Sequence, residues 1–113
     1  MLTILHNPRC GKSRQTLKII HESGNEIEVI EYLKTPPTYD ELKAIISKLA
    51  IKPEALLRKG EAVFKENYKG KELSDDEWIQ AMVDNPILIE RPIVIKGDQA
   101  IIGRPPENVN ELL

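Results

Sequence analysis

The chain has a single cysteine, Cys10, in 113 residues. That excludes an internal disulfide and any metal site assembled from several cysteines. Histidine is nearly as scarce, with only His6 and His21. No ligand spacing joins them to Cys10 as a zinc site, so no metal is expected. No apolar run is long enough to span a membrane or to form the core of a signal peptide. Neither sign of charge dominates: 16 basic residues face 18 acidic ones, a formal net charge of −2. That balance gives no electrostatic basis for binding nucleic acid or an anionic membrane. A lone thiol without disulfide partners is at home in a reducing compartment, so a cytoplasmic location is expected. With 41% hydrophobic and 30% charged residues, the composition supports a packed core rather than disorder. The length fits a single domain spanning residues 1–113, and a monomer is expected.

What is present gathers around that cysteine. The segment His6-Asn7-Pro8-Arg9-Cys10-Gly11-Lys12-Ser13-Arg14 follows the apolar run Leu2-Thr3-Ile4-Leu5, which reads as a strand. It precedes Gln15 to Ile20, which reads as a helix. Cys10 therefore falls where a strand turns into a helix. There, unpaired backbone N–H groups and the positive end of the macrodipole favour a thiolate and can hold an oxyanion. Arg9, Lys12 and Arg14 add positive charge close by in sequence. A lone cysteine is often only a small buried hydrophobe. Neighbours that are basic or glycine rather than apolar tilt this one toward reactivity.

The rest of the chain reads as a strand–helix–strand unit, a helical block, then two strands and a short helix. A helix from about Lys12 to His21 turns Leu17, Ile20 and Ile19 toward a core and stops at Ser23-Gly24-Asn25. Ile27 to Ile30, running on into Tyr32-Leu33, is a second strand, parallel to the first because a helix connects them. Thr35-Pro36-Pro37 breaks the chain. Thr38 with Glu41, and Ser74 with Glu77, have the spacing of capping boxes and open two further helices. The first carries Leu42, Ile45, Ile46 and Leu49; the second carries Trp78, Ile79, Met82 and Val83, with Trp78 in the core. Between them, Pro53 opens a short helix and Ala62 to Glu66 forms a weak helical turn. Ile93-Val94-Ile95 and Ala100-Ile101-Ile102 form a hairpin across Lys96-Gly97-Asp98-Gln99, and Glu107 to Leu113 a last short helix. This order predicts an α/β, thioredoxin-like fold. Its core of about 1–35 and 86–113 forms a mixed four-stranded sheet, and its helical insertion covers about 38–85.

Arg58, Arg91 and Arg104 each stand at an element boundary, where a rigid scaffold can aim a side chain into a site. Arginine presents a planar fork of donors that matches a tetrahedral oxyanion. A tyrosine-phosphatase loop requires arginine six positions after the cysteine, and that position is Thr16. A dithiol motif requires a second cysteine three positions on, and that position is Ser13. Cys10 is thus a one-thiol site, and once oxidised it needs an external thiol to resolve it.

The joint pattern resembles the glutaredoxin-linked arsenate reductases of the ArsC family. The matching stretches are His6-Asn7-Pro8 with Cys10-Gly11 and Ser13-Arg14, Leu56-Leu57-Arg58-Lys59, Asn85 to Ile89, Arg91-Pro92-Ile93-Val94 and Gly103-Arg104-Pro105. They cover nearly the whole chain in order, although residues 61–73 follow the family pattern less closely. The resemblance implies that Cys10 is the nucleophile, that Arg58, Arg91 and Arg104 bind the oxyanion, and that His6 and Ser13 help keep the sulfur ionised. It implies reduction of arsenate to arsenite, glutathione as co-substrate, glutaredoxin as partner, and a cis bond before Pro92. It assigns His21 no role. Two alternatives belong to the same resemblance. One is an ArsC-like thiol oxidoreductase acting on another oxyanion or on a thiol substrate. The other is a non-catalytic regulatory protein related to the RNA polymerase-binding members of the superfamily. Those members typically carry a Cys-x-x-Cys switch, which Ser13 removes here.

Overall fold

The computed structural model describes all residues, 1–113. The chain divides into two compact units, one of residues 1–35 with 91–113 and one of residues 36–90. The first unit is built on β1 (Leu2–His6), α1 (Gly11–Glu22), β2 (Ile27–Glu31), β3 (Ile93–Lys96) and β4 (Gln99–Ile102), closed by a 3-10 helix over Pro106–Leu112. Its sheet has the order β2-β1-β3-β4. β1 pairs parallel with β2 (Leu2 opposite Ile27, His6 opposite Glu31) and antiparallel with β3 (Leu5 opposite Ile93), and β3 and β4 form the antiparallel hairpin. This is the mixed four-stranded sheet of a thioredoxin-like α/β fold. The α1 crossover places β1 centrally, and its C-terminal end delivers the chain directly to Cys10.

The alternating side chains of β1 decide which face the helices cover. Leu2 and Ile4 pack with Ile20 of α1, Val94 of β3, and Val109 and Leu112 of the terminal 3-10 helix, all buried. Leu17, Ile19, Ile27 and Ile101 flank that cluster. Burying a side chain of this size contributes roughly 1.5–3 kcal/mol, so the cluster anchors both ends of the chain to one sheet face. β2 is an edge strand, and Val29 is exposed.

Two features depart from the sequence reading. β2 ends at Glu31, and Tyr32-Leu33 belong to a turn in which the N–H groups of Lys34 and Thr35 donate to the Glu31 carbonyl (2.9 and 3.0 Å). Tyr32 is fully buried all the same, so its apolar signal reported burial rather than strand. The last helix starts at Pro106 and is 3-10 throughout. The Arg91–Pro92 bond is cis, and so is Arg104–Pro105.

The second unit contains α2 (Tyr39–Leu49), α3 (Ala62–Asn67) and α4 (Asp75–Asp84), with 3-10 turns at Pro53–Leu56 and Pro86–Leu88. Thr38 and Ser74 each form a complete capping box with Glu41 and Glu77. Leu42, Ile45 and Ile46 of α2 are buried, as are Trp78, Ile79 and Met82 of α4, and the two helices pack against each other. Trp78 also stacks on Phe64 of α3 at 6.1 Å between ring centres. No helix is long and apolar enough to cross a membrane.

Candidate active site

Cys10 is the N-cap of α1, with extended backbone (φ −96°, ψ 122°), and its carbonyl accepts the first helical bond from the Arg14 N–H at 3.0 Å. Asn7 shapes the turn that brings it there. The Asn7 carbonyl accepts the Cys10 N–H and its Oδ1 accepts the Arg9 N–H, both at 3.0 Å. The Asn7 N–H donates to Ser13 Oγ at 3.0 Å, and Ser13 Oγ lies 2.6 Å from His6 Nδ1. Both side chains are buried, Ser13 completely. The end of β1, the turn and the first helical turn are thus locked together, and Arg14 adds a bond from Nη1 to the Pro8 carbonyl at 3.0 Å.

Two arginines from the far end of the chain complete the surroundings of the sulfur. Arg104 donates through Nη2 to Cys10 Sγ at 3.3 Å and through Nε to the Arg91 carbonyl at 2.8 Å. Arg91, itself buried, also hydrogen-bonds the sulfur through its side chain. Burial raises the Cys10 thiol. The Ser13 N–H, the Arg91 guanidinium, the Lys12 N–H and the charge of Arg104 together outweigh it, so the pKa lies below the ordinary cysteine value. Among the basic side chains, Arg91 and Arg104 act on the sulfur, whereas Arg9 and Lys12 are exposed and Arg14 is turned to Pro8. The basic cluster adjoining Cys10 in sequence is therefore not the source of the site's charge.

The approach of β3 and β4 to α1 depends on Gly103. Its N–H donates to the Pro92 carbonyl at 2.9 Å. A Cβ there would lie 2.6 Å from Thr16 Oγ1 and 2.8 Å from Pro92 Cγ. Thr16 is fully buried and returns its hydroxyl to the Lys12 carbonyl at 2.9 Å. Glycine thus lets the segment carrying Arg104 press against both the helix and the segment carrying Arg91.

Cys10, Arg91 and Arg104 are brought together in this unit, with His6 and Ser13 behind the cysteine. Ser13 reaches the sulfur through its backbone N–H, because its hydroxyl is held by His6 and Asn7. The His6 pKa is lowered, first by burial and then by the charge of Arg14, against an opposing pull from Glu31. His6 is accordingly neutral near pH 7 and fixes Ser13 rather than supplying charge. Arg58 lies in the second unit, where Nη1 binds Glu90 Oε1 at 2.5 Å and Nε binds Glu61 Oε2 at 3.2 Å. His21 is exposed. A search for apolar periodicity overlooks the roles of Asn7 and Thr16. The available signals were an Asn-Pro turn ahead of the cysteine, and a Ser13–Thr16–Ile20 spacing that places polar residues on the buried face of α1.

The sequence pattern of the ArsC family matches residues 5–112. An uncharacterized protein of Escherichia coli K12, YfgD, is 47% identical over 97% of this chain and 94% of its own length. The arsenate reductase of the same strain is 45% identical over 99% of this chain and 80% of its own. In structure, the chain is similar to arsenate reductase from Vibrio cholerae, with a TM-score of 0.94, 45% identity, and coverage of 99% of this chain and 97% of that one. A family pattern that runs through the strand–cysteine–helix turn and both sulfur-facing arginines, and relatives matched along almost their whole length, agree with the geometry: the chain belongs to the ArsC family.

Proposed function

We propose that the protein reduces arsenate to arsenite through the thiolate of Cys10, with glutathione as co-substrate and glutaredoxin as partner. The observation that carries this reading is the pair of guanidinium groups on Cys10 Sγ, with Arg104 Nη2 at 3.3 Å. Arginines that stabilise a thiolate also neutralise a tetrahedral oxyanion arriving beside it, so nucleophile and electrophile share one electrostatic site. Relatives named as arsenate reductases, at about 45% identity, support the choice of oxyanion.

In this scheme the Cys10 sulfur attacks arsenic(V), and one arsenate oxygen leaves as water with protons from solvent. The glutathione sulfur then bonds to arsenic, and a second oxygen leaves as water. Arsenic takes the electron pair of its sulfur bonds, picks up one water from solvent and departs as arsenite, while the two sulfurs join as a Cys10–glutathione disulfide. A glutaredoxin thiol attacks the glutathione sulfur of that disulfide and releases Cys10 as thiolate. Arg91, Arg104 and Arg58 hold the oxyanion, and His6 acts through Ser13 to keep the Ser13 N–H on the sulfur. The reaction uses no metal and no bound cofactor, and it suits a monomer in a reducing cytoplasm.

The test is arsenate-dependent NADPH oxidation with glutathione, glutathione reductase and glutaredoxin. Turnover is expected with the native chain and none with Cys10→Ser. Replacing glutathione and glutaredoxin by thioredoxin and its reductase should reduce the rate sharply, since no second protein thiol exists. Full turnover with thioredoxin alone refutes the one-thiol scheme. Absence of turnover with every reductant refutes the enzyme reading.

A further inference from the structure

We infer that Glu90 and Glu61 are internal competitors for Arg58 that set the affinity of the protein for its oxyanion; the inference rests on the reading that Arg58 is an oxyanion ligand. The contact is built into the second unit. Leu57 and Ile89 form an antiparallel bridge. On either side of it, the Arg58 N–H donates to the Leu88 carbonyl at 2.8 Å and the Glu90 N–H to the Leu56 carbonyl at 2.9 Å. That pairing sets Arg58 opposite Leu88 and Glu90 opposite Leu56, diagonally across the bridge, and their side chains meet in an ion pair. Glu61 is the N-cap of α3, and its N–H bonds the Arg58 carbonyl at 3.2 Å. The side chains of Arg58, Glu61 and Glu90 are 23%, 26% and 24% exposed. The pairs are thus partly shielded from solvent, and less screened than open surface pairs.

The surroundings of Arg58 carry more acidic than basic charge. Arg58 opens on a cavity of about 330 Å³ lined by Leu57, Lys59, Gly60 and the two glutamates. One guanidinium between two carboxylates sums to −1, and the neighbouring Lys59 ammonium is paired with Glu54 at 3.1 Å. A doubly charged oxyanion meets repulsion there unless a carboxylate gives up its bond. Glu90 holds the shorter of the two contacts and is the main competitor. An oxyanion must exchange with it, so binding is weaker than a bare arginine would give.

The full chain, titrated calorimetrically with arsenate in the absence of thiol, tests this. Glu90→Gln keeps the size of the side chain and removes the charge, and should tighten binding roughly 3- to 10-fold. Glu61→Gln should tighten it less, Glu90→Asp should stay near the native value, and Arg58→Ala should weaken it at least about 10-fold. In turnover, Glu90→Gln should lower KM for arsenate. If Glu90→Gln does not fold, Glu61→Gln decides. Unchanged or weaker binding in the glutamine variants, with Arg58→Ala still impaired, overturns the competition and leaves the Arg58 role standing. An Arg58→Ala variant that binds like the native chain overturns both. No arsenate binding by any form overturns the proposed function along with them.

Discussion

The Cys10 sulfur receives two kinds of donor that differ in reach. The Ser13 and Lys12 N–H groups come with the helix end and are fixed once the cysteine is the N-cap. Arg91 and Arg104 come from about 80 and 90 residues further along the chain and depend on the whole sheet being formed. Burial opposes both by disfavouring the charged sulfur. The balance gives a measurable pH dependence. The folded pKa lies below the unfolded one, so the thiolate stabilises the fold fully above the unfolded value of about 8.5, and that contribution fades as pH falls through the folded value. Alkylation rate against pH should have its midpoint below about 8.5, and Arg104→Ala should move the midpoint upward. A native midpoint at or above that of free cysteine, or one unmoved in the variant, contradicts this electrostatic account. His6 illustrates what a residue-by-residue reading misses. Its position beside the cysteine suggests charge support, yet burial keeps it neutral and its Nδ1 is engaged with Ser13.

Among the elements, α1 is the least ordinary. Its buried face consists of Ser13, Thr16 and Ile20, so two of its three buried residues are polar. Thr16 satisfies its hydroxyl within the helix, which lets it meet Gly103 without leaving an orphaned donor. This close approach supports the arginine-bearing segments and makes Gly103 a sensitive position. Gly103→Ala forces a methyl to within 2.6 Å of Thr16 Oγ1 and 2.8 Å of Pro92 Cγ. Overpacking of this kind costs about 1–3 kcal/mol. The thermal midpoint should fall by roughly 4 °C or more, and a variant that melts with the native chain contradicts the packing described. The elements legible in the sequence were those with strong local chemistry. The capping boxes at Thr38 and Ser74 and the hairpin turn at Gly97 each carry their own signal in adjacent residues. Tyr32-Leu33 failed because Tyr32 is buried from a turn while Leu33 is exposed, and nothing in two apolar residues distinguishes a strand end from such a turn.

For the molecule as a whole, the strand–helix–strand opening and the closing hairpin were enough to anticipate the sheet, since a helix between β1 and β2 imposes parallel pairing. The thioredoxin-like analogy gave a mixed four-stranded sheet but no strand order, and no local signal announces the order β2-β1-β3-β4 with β3 antiparallel to β1. The site was legible in its residues and less so in its wiring. Cys10, Arg91 and Arg104 stand out by type and boundary position, but sequence gives no distance between residues so far apart. The pairing of Arg58 with Glu61 and Glu90 depends on a two-residue bridge that no periodicity announces. The central claim is that one sulfur carries the redox step and needs an external thiol to release it. Intact-mass measurement of the chain after incubation with arsenate and glutathione, with glutaredoxin withheld, tests this directly. The account predicts one glutathione per chain, joined to Cys10, formed only when arsenate is present and removed on adding glutaredoxin. A chain that stays unmodified while arsenite accumulates, or one that gains glutathione equally without arsenate, contradicts it.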